Sequence, residues 1–149
     1  MFYTTDVDVS IDNTTFSHNN ATGEGGAIRC WRTSKFNMLN VDFLNNSAPA
    51  GGALFMRAAP SFAFSYDGGL VEYNTGGGVF IDSDDAGVLG PVQSVSLKGV
   101  TWRDNVVAHG DGGGFGLSAD SLEAQVSVLV DECAFFRNRG RYGMCLNAY

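Results

Sequence analysis

Asp104 and the run His109-Gly110-Asp111 bring two carboxylates and an imidazole into one short segment. A general base beside a proton shuttle would use those residue types, and glycan-cleaving enzymes work with paired carboxylates. The same segment is also an ordinary Gly-rich loop with its polar residues in water, which is the simpler reading. A second acidic stretch, Asp82-Ser83-Asp84-Asp85, offers hard oxygen ligands of the kind Ca²⁺ takes. It lacks the spaced ligands and fixed glycine of a Ca²⁺ loop, so Asp82, Asp84 and Asp85 read first as a solvated acidic turn. Arg137, Arg139 and Arg141 would suit a sulfated or carboxylated glycan. Trp31 and Tyr73 are the aromatics placed outward to stack on a sugar. None of these groups calls for a cofactor or a bound metal, and the balance of the sequence is against an enzyme.

Cys30, Cys133 and Cys145 show no metal-ligand spacing and read as small core hydrophobes. Asn13, Asn20 and Asn45 begin N-x-[ST] sequons. An Asn at a tight bend of a packed helix is a poor glycan acceptor.

What must position these side chains is a repeat. Phe16-Ser17-His18-Asn19, followed by Gly25-Gly26-Ala27-Ile28, returns as Phe43-Leu44-Asn45-Asn46 with Gly51-Gly52-Ala53-Leu54. It returns again as Val71-Glu72-Tyr73-Asn74 with Gly76-Gly77-Gly78-Val79, and as Trp102-Arg103-Asp104-Asn105 with Gly112-Gly113-Gly114-Phe115. A degraded fifth copy is Phe135-Phe136-Arg137-Asn138 with Gly143-Met144-Cys145. Asn19, Asn46, Asn74, Asn105 and Asn138 recur every 27 to 33 residues, a period that means a solenoid.

Columns read across the copies divide each repeat into three strands. Val9, Phe36, Phe64, Val95 and Val128 stand seven residues before the motif, and Ile11, Met38, Tyr66, Leu97 and Val130 five before it. Asn13, Asn40, Gly68, Gly99 and Glu132 follow. That column is dominated by residue types that accept a left-handed backbone cheaply, so a bend is expected there. Phe16, Phe43, Val71, Trp102 and Phe135 then occupy a short second strand. After the glycine pair comes a third strand, whose inward columns are expected at Ile28, Leu54, Val79, Phe115 and Cys145, then Cys30, Met56, Ile81, Leu117 and Asn147. Gly26, Gly52, Gly77 and Gly113 would let neighbouring backbones pass closely. The variable stretches 31–34, 57–61, 82–91 and 118–125 are expected to be loops.

Three short strands per coil with like residues stacked predict an all-β fold. It is a right-handed parallel β-helix of about five coils, near 7–33, 34–61, 62–91, 92–125 and 126–149, in a single domain over 1–149. Each coil adds about 4.8 Å along the axis. Cys30 would then lie about 19 Å from Cys133 and Cys145, beyond disulfide reach. Cys133 and Cys145 share a coil and would pair only by facing each other across it, so free thiols are expected. The five Asn residues read as a structural ladder of stacked amides, because one residue per coil is a scaffold pattern.

Composition narrows the partners. The 149-residue chain has a net charge of -7 with 9 basic residues, which argues against a phosphate-tracking surface and so against nucleic acid. Glycine is abundant, at 20 residues, without a G-X-Y period. No run approaches the roughly 20 apolar residues of a membrane span, and the first residues show no signal peptide.

The paired FxxN and GGA[ILV] motifs, met in full at Phe16/Asn19 with Gly25 to Ile28 and at Phe43/Asn46 with Gly51 to Leu54, resemble those of the chlamydial polymorphic outer membrane proteins. Those are autotransporter adhesins with pectin-lyase-like β-helical passengers. The resemblance implies an extracellular, cell-surface or outer-membrane location. It also implies a non-catalytic segment of a longer repeat protein, acting as a stalk or as an adhesive surface for a host protein or glycan. Open coil ends would be covered by flanking β-helix coils or a partner chain. The alternatives are a polysaccharide lyase or glycoside hydrolase, and a trimeric viral or phage fibre segment.

Overall fold

The computed structural model describes residues 7–82, 93–108, 113–118, 126–140 and 146–148, without the side chains of 60 and 146–148. Every described element is a strand: β1 (Val7–Asp12), β2 (Thr15–Ser17), β3 (Ile28–Leu44), β4 (Leu54–Glu72), β5 (Val79–Asp82), β6 (Gln93–Arg103), β7 (Phe115–Ser118), β8 (Val126–Asp131), β9 (Ala134–Phe136) and β10 (Leu146–Ala148). All strand pairs are parallel, each strand lying on its counterpart one repeat away. The architecture is a β-solenoid, the parallel β-helix that the repeat predicts. Three windings run without a break through 7–82, and two more are described in part.

The columns explain the register. Val9 pairs with Phe36, Phe36 with Phe64, Phe64 with Val95 and Val95 with Val128. Phe16, Phe43, Val71, Trp102 and Phe135 are likewise in register. Side chains alternate across a strand, so a slip of one residue would turn each apolar column outward. Inside, Phe16 stacks on Phe43 at 5.3 Å and Trp102 on Phe135 at 5.7 Å between ring centroids. Tyr66 replaces an aliphatic residue in its column and donates its hydroxyl to the Val41 carbonyl at 2.5 Å. Burial pushes that phenol well above its ordinary pKa, and nearby Asp42 adds to the effect. The carbonyl is open to it because the Leu70 amide donates to Asp42 Oδ1.

The bend column is left-handed throughout, with φ of 48° at Asn13, 52° at Asn40, 68° at Gly68, 60° at Gly99 and 50° at Glu132. Gly52 is fixed by crowding, since a Cβ there would lie 2.4 Å from the Thr75 carbonyl oxygen and 2.5 Å from that of Gly77.

Two expectations are corrected. Stretches 31–34 and 57–61 are not loops but parts of β3 and β4. Their pairing shifts register between Trp31 and Thr33 and again between Thr33 and Lys35, so the extra residues are absorbed as irregularities of a continuous strand. In the last winding, Leu146 rather than Cys145 pairs with Phe115, and Ala148 rather than Asn147 pairs with Leu117. In sequence, Leu146 and Ala148 are the apolar alternates of this stretch, whereas counting from Cys145 would put the amide of Asn147 in register with Leu117.

Candidate functional site

The most highly ordered polar feature is the asparagine column. From Asn46 onward, each amide oxygen accepts from both the backbone N–H and the side-chain amide of the Asn one winding earlier. The backbone bonds are 3.1 Å from Asn19 to Asn46, 2.9 Å from Asn46 to Asn74, 3.1 Å from Asn74 to Asn105 and 3.1 Å from Asn105 to Asn138. The matching Nδ2 to Oδ1 distances are 2.9, 3.1, 2.9 and 2.8 Å. The second hydrogen of each amide goes back to the carbonyl of the motif residue before it. Asn46 donates to Phe16, Asn74 to Phe43, Asn105 to Val71 and Asn138 to Trp102, at 2.8 to 3.0 Å. A buried amide with every group paired stabilises, whereas one left half-paired is costly. Asn46, Asn74, Asn105 and Asn138 are 0 to 4% exposed, while Asn19 is exposed.

The residue before each Asn also takes a left-handed backbone: His18, Asn45, Tyr73, Asp104 and Arg137, with φ between 50° and 57°. Sequence reading missed this column because its five members share no residue type. Its consequence is chemical. A side chain raised on such a turn meets its counterparts in the windings above and below, and so Asp104 meets Arg137. Arg137 grips the carboxylate with two bonds, Nε to Oδ1 at 2.7 Å and Nη2 to Oδ2 at 2.6 Å. Those bonds hold the Asp104 carboxyl below its ordinary range. In the neighbouring column Arg103 pairs with Glu72, and its Nε is 3.9 Å from Asp104 Oδ2. The signal was present in the sequence, because Glu72 and Arg103 hold the motif's second place and Asp104 and Arg137 its third.

Two carboxylates and two guanidinium groups therefore share one outer face, the grouping a glycan-cleaving site would need. Both carboxylates are engaged by arginine. Asp104, its pKa pulled down by the bidentate Arg137 guanidinium, is a weak base and holds no proton to donate near neutrality. His109 and Asp111, the other members of the expected constellation, lie outside the described residues.

Asp82 lies in β5, 6% exposed, where Arg57 donates to its Oδ2 through Nε at 3.2 Å and Nη2 at 3.0 Å. Asp84 and Asp85 lie outside the described residues, among which no three His, Cys, Asp or Glu side chains converge as a metal site. Of the arginine cluster, Arg137 is committed to Asp104, Arg139 is exposed, and Arg141 lies outside the described residues.

Trp31 is half-buried, with the Arg57 guanidinium 4.2 Å and that of Arg29 5.3 Å from its ring. Both guanidinium groups therefore lie over the ring that the sequence offers for stacking. Tyr73 is 50% exposed, and Phe136, which the sequence reading overlooked, is 52% exposed with Arg137 over its ring at 4.4 Å. The sequon residues Asn13, Asn20 and Asn45 are all exposed. Cys30 and Cys133 are free thiols, and Cys145 lies outside the described residues. Burial lifts the Cys30 thiol to about 11, against a smaller opposing effect of its hydrogen bond with Thr33.

No helix among the described residues is long and apolar enough to cross a membrane. No curated protein and no solved structure matches the chain. Residues 13–30, which hold the first bend, the first Asn of the ladder and the first glycine pair, match the repeat of the Chlamydia polymorphic membrane proteins.

Proposed function

We propose that this chain is a non-catalytic β-helix segment of a cell-surface or extracellular repeat protein, serving as a rigid stalk or as a binding surface. The observation that carries this reading is the use made of the repeated polar residues. The Asn amides bond to one another and to backbone from winding to winding, and the carboxylates of the Glu72, Arg103, Asp104 and Arg137 face are tied to arginines. Side chains spent on joining windings make a stiff rod. The match to a membrane-protein repeat supports an outer-membrane or surface setting. Tyr73 and Phe136, exposed beside that charged face, are the groups a bound protein or glycan would meet. The windings at either end need cover from flanking coils or from a partner.

Incubation of the chain with a panel of neutral and acidic polysaccharides tests the reading, with product release and retention both measured. Retention on a glycan or on host-cell surface protein, with no new reducing ends and no unsaturated products, is the expected result. Depolymerisation that disappears in an Asp104→Asn variant would establish the second reading, a lyase or hydrolase built on the paired carboxylates.

A further inference from the structure

Asn45-Asn46-Ser47 sets two unlike asparagines side by side. Asn46 belongs to the ladder, 1% exposed, with its amide bonded to the windings on both sides. Asn45 is exposed, and among the described residues nothing hydrogen-bonds its carboxamide. The left-handed turn at Asn45, φ 55°, puts one amide outside as the next goes in.

These three residues are also an N-x-[ST] sequon, whose structural requirement is a place on the surface. A tight bend counts against a sequon where it buries the amide; this bend exposes it. Of the other two sequon residues, Asn13 and Asn20 lie in the first winding, and the Asn13 amide oxygen already accepts from Asn40 at 3.3 Å. Asn45 follows a strand paired on both sides, β3 with β2 and with β4. Its outward setting belongs to the column and not to the extent of the chain. His18, one winding before, is exposed, and Tyr73, one winding after, is 50% exposed. The backbone N–H groups of His18, Asn45 and Tyr73 donate in turn to Leu44, Glu72 and Arg103, so the three turns form one stack, about 4.8 Å apart. Further windings at either end would lengthen this column without covering it.

We propose that Asn45 is a modification site, the acceptor of an N-linked glycan. Asn45 Nδ2 forms a bond to the anomeric carbon of an oligosaccharide carried on a lipid pyrophosphate. The bond from that carbon to the pyrophosphate oxygen breaks, the lipid pyrophosphate leaves with the bonding pair, and the Nδ2 proton passes to a base of the transferase. Ser47 supplies the hydroxyl by which the sequon is read. In the finished fold the Ser47 backbone is held between Asn20 and Thr75, so transfer precedes the closing of the windings. What the fold must then supply is room, and the exposed column supplies it. At that corner the glycan stands next to Tyr73 and borders the face of Glu72, Arg103, Asp104 and Arg137 on one side. The proposal rests on the surface or extracellular setting proposed above.

Secretion of the 149-residue chain from a eukaryotic host, behind a cleavable leader, tests it. Release by peptide N-glycosidase in heavy-oxygen water, followed by peptide mapping, is expected to mark Asn45 in most molecules. The far-UV circular dichroism of the glycosylated chain is expected to match that of the chain after release. Ser47→Ala is expected to lose the mark and Ser47→Thr to keep it. Asn45→Asp also loses it, and keeps a residue type that accepts the left-handed turn, as Asp104 does. The same mark at Asn45 is expected on the protein isolated from its own source. A secreted chain, or a native protein, unmarked at Asn45 overturns the proposal. So does a chain retained in the host and released by Asn45→Asp, because the glycan would then be incompatible with the fold. None of these results touches the scaffold reading, which the polysaccharide panel decides on chain without glycan.

Discussion

The winding at 7–33 and the two that follow it carry the same motif yet live in different surroundings. Phe43 and Asn46 are 0% and 1% exposed, while Phe16 is half-buried and Asn19 exposed. Among the described residues the first winding has a neighbour on one side and the second has one on both. Identity of residue therefore does not set the contribution to stability. In a stack where each winding touches only the next, that contribution lies in the interfaces. The interior windings are then the rigid part of the molecule, and the first is the part expected to open first.

The sharpest way to break this comparison is to remove the ring from each winding in turn. Phe43→Ala is expected to lower unfolding stability by about 3 to 5 kcal/mol, the cost of truncating a fully buried Phe. Phe16→Ala should cost only about 1 to 2 kcal/mol, since half-burial gives a fraction of the full transfer free energy. Denaturant titration of both variants checks the pair, and equal losses would erase the distinction between the windings.

The ladder gives the next test. Asn74→Ala strands the Asn46 backbone and amide donors and the Phe43 carbonyl, and takes one of its two bonds from the Asn105 oxygen, an expected loss of about 3 kcal/mol. Asn19→Ala, at the exposed end, should lose less than about 1 kcal/mol. Thermal melts of the two side by side would show whether the amides act as a column or as separate residues.

Thiol chemistry sharpens the picture of the first winding. Cys30, raised to about 11, is expected to alkylate at pH 8 about 100-fold more slowly than an ordinary thiol, because the thiolate is the nucleophile. Peptide mapping after timed alkylation reads this directly. Labelling as fast as in a denatured control would mean that Cys30 is fully exposed.

The smallest effect is electrostatic. Asp104 is held below its ordinary pKa by Arg137, so the pair contributes stability above the unfolded-state value of about 3.9. That stability is lost as pH falls through the lower folded value. In Arg137→Gln the Asp104 carboxyl should titrate closer to its ordinary range, as carbon-detected NMR would show. An unchanged midpoint would mean the bidentate contact is not made in solution.

Much of this was legible in the sequence, for a physical reason. Stacking forces like residues into columns, so Val9, Phe36, Phe64, Val95 and Val128 announce an inward face, and Asn13, Asn40, Gly68 and Gly99 a left-handed bend. What stayed hidden breaks the columns. The second left-handed position holds His18, Asn45, Tyr73, Asp104 and Arg137, and five unlike residues leave no trace of a shared backbone. Variation in the length of 31–34 and 57–61 suggested loops, yet a parallel strand absorbs extra residues by shifting register and remains a strand. The weak fifth copy was read one position early because its glycine pair is gone, removing the marker from which Leu146 would have been counted. The candidate site was legible only as separate residues, since pairing Asp104 with Arg137 required seeing that a place in the motif is also a place in space.

Amide hydrogen exchange followed winding by winding tests the central claim most directly. The backbone N–H groups of Asn46, Asn74 and Asn105, each bonded to the amide oxygen of the next Asn, should be among the slowest to exchange. The groups of β1 that face away from β3, unpaired among the described residues, should exchange far faster. Uniform protection from Val7 to Glu72, or an Asn74 N–H that exchanges as fast as that of Asn19, would contradict it.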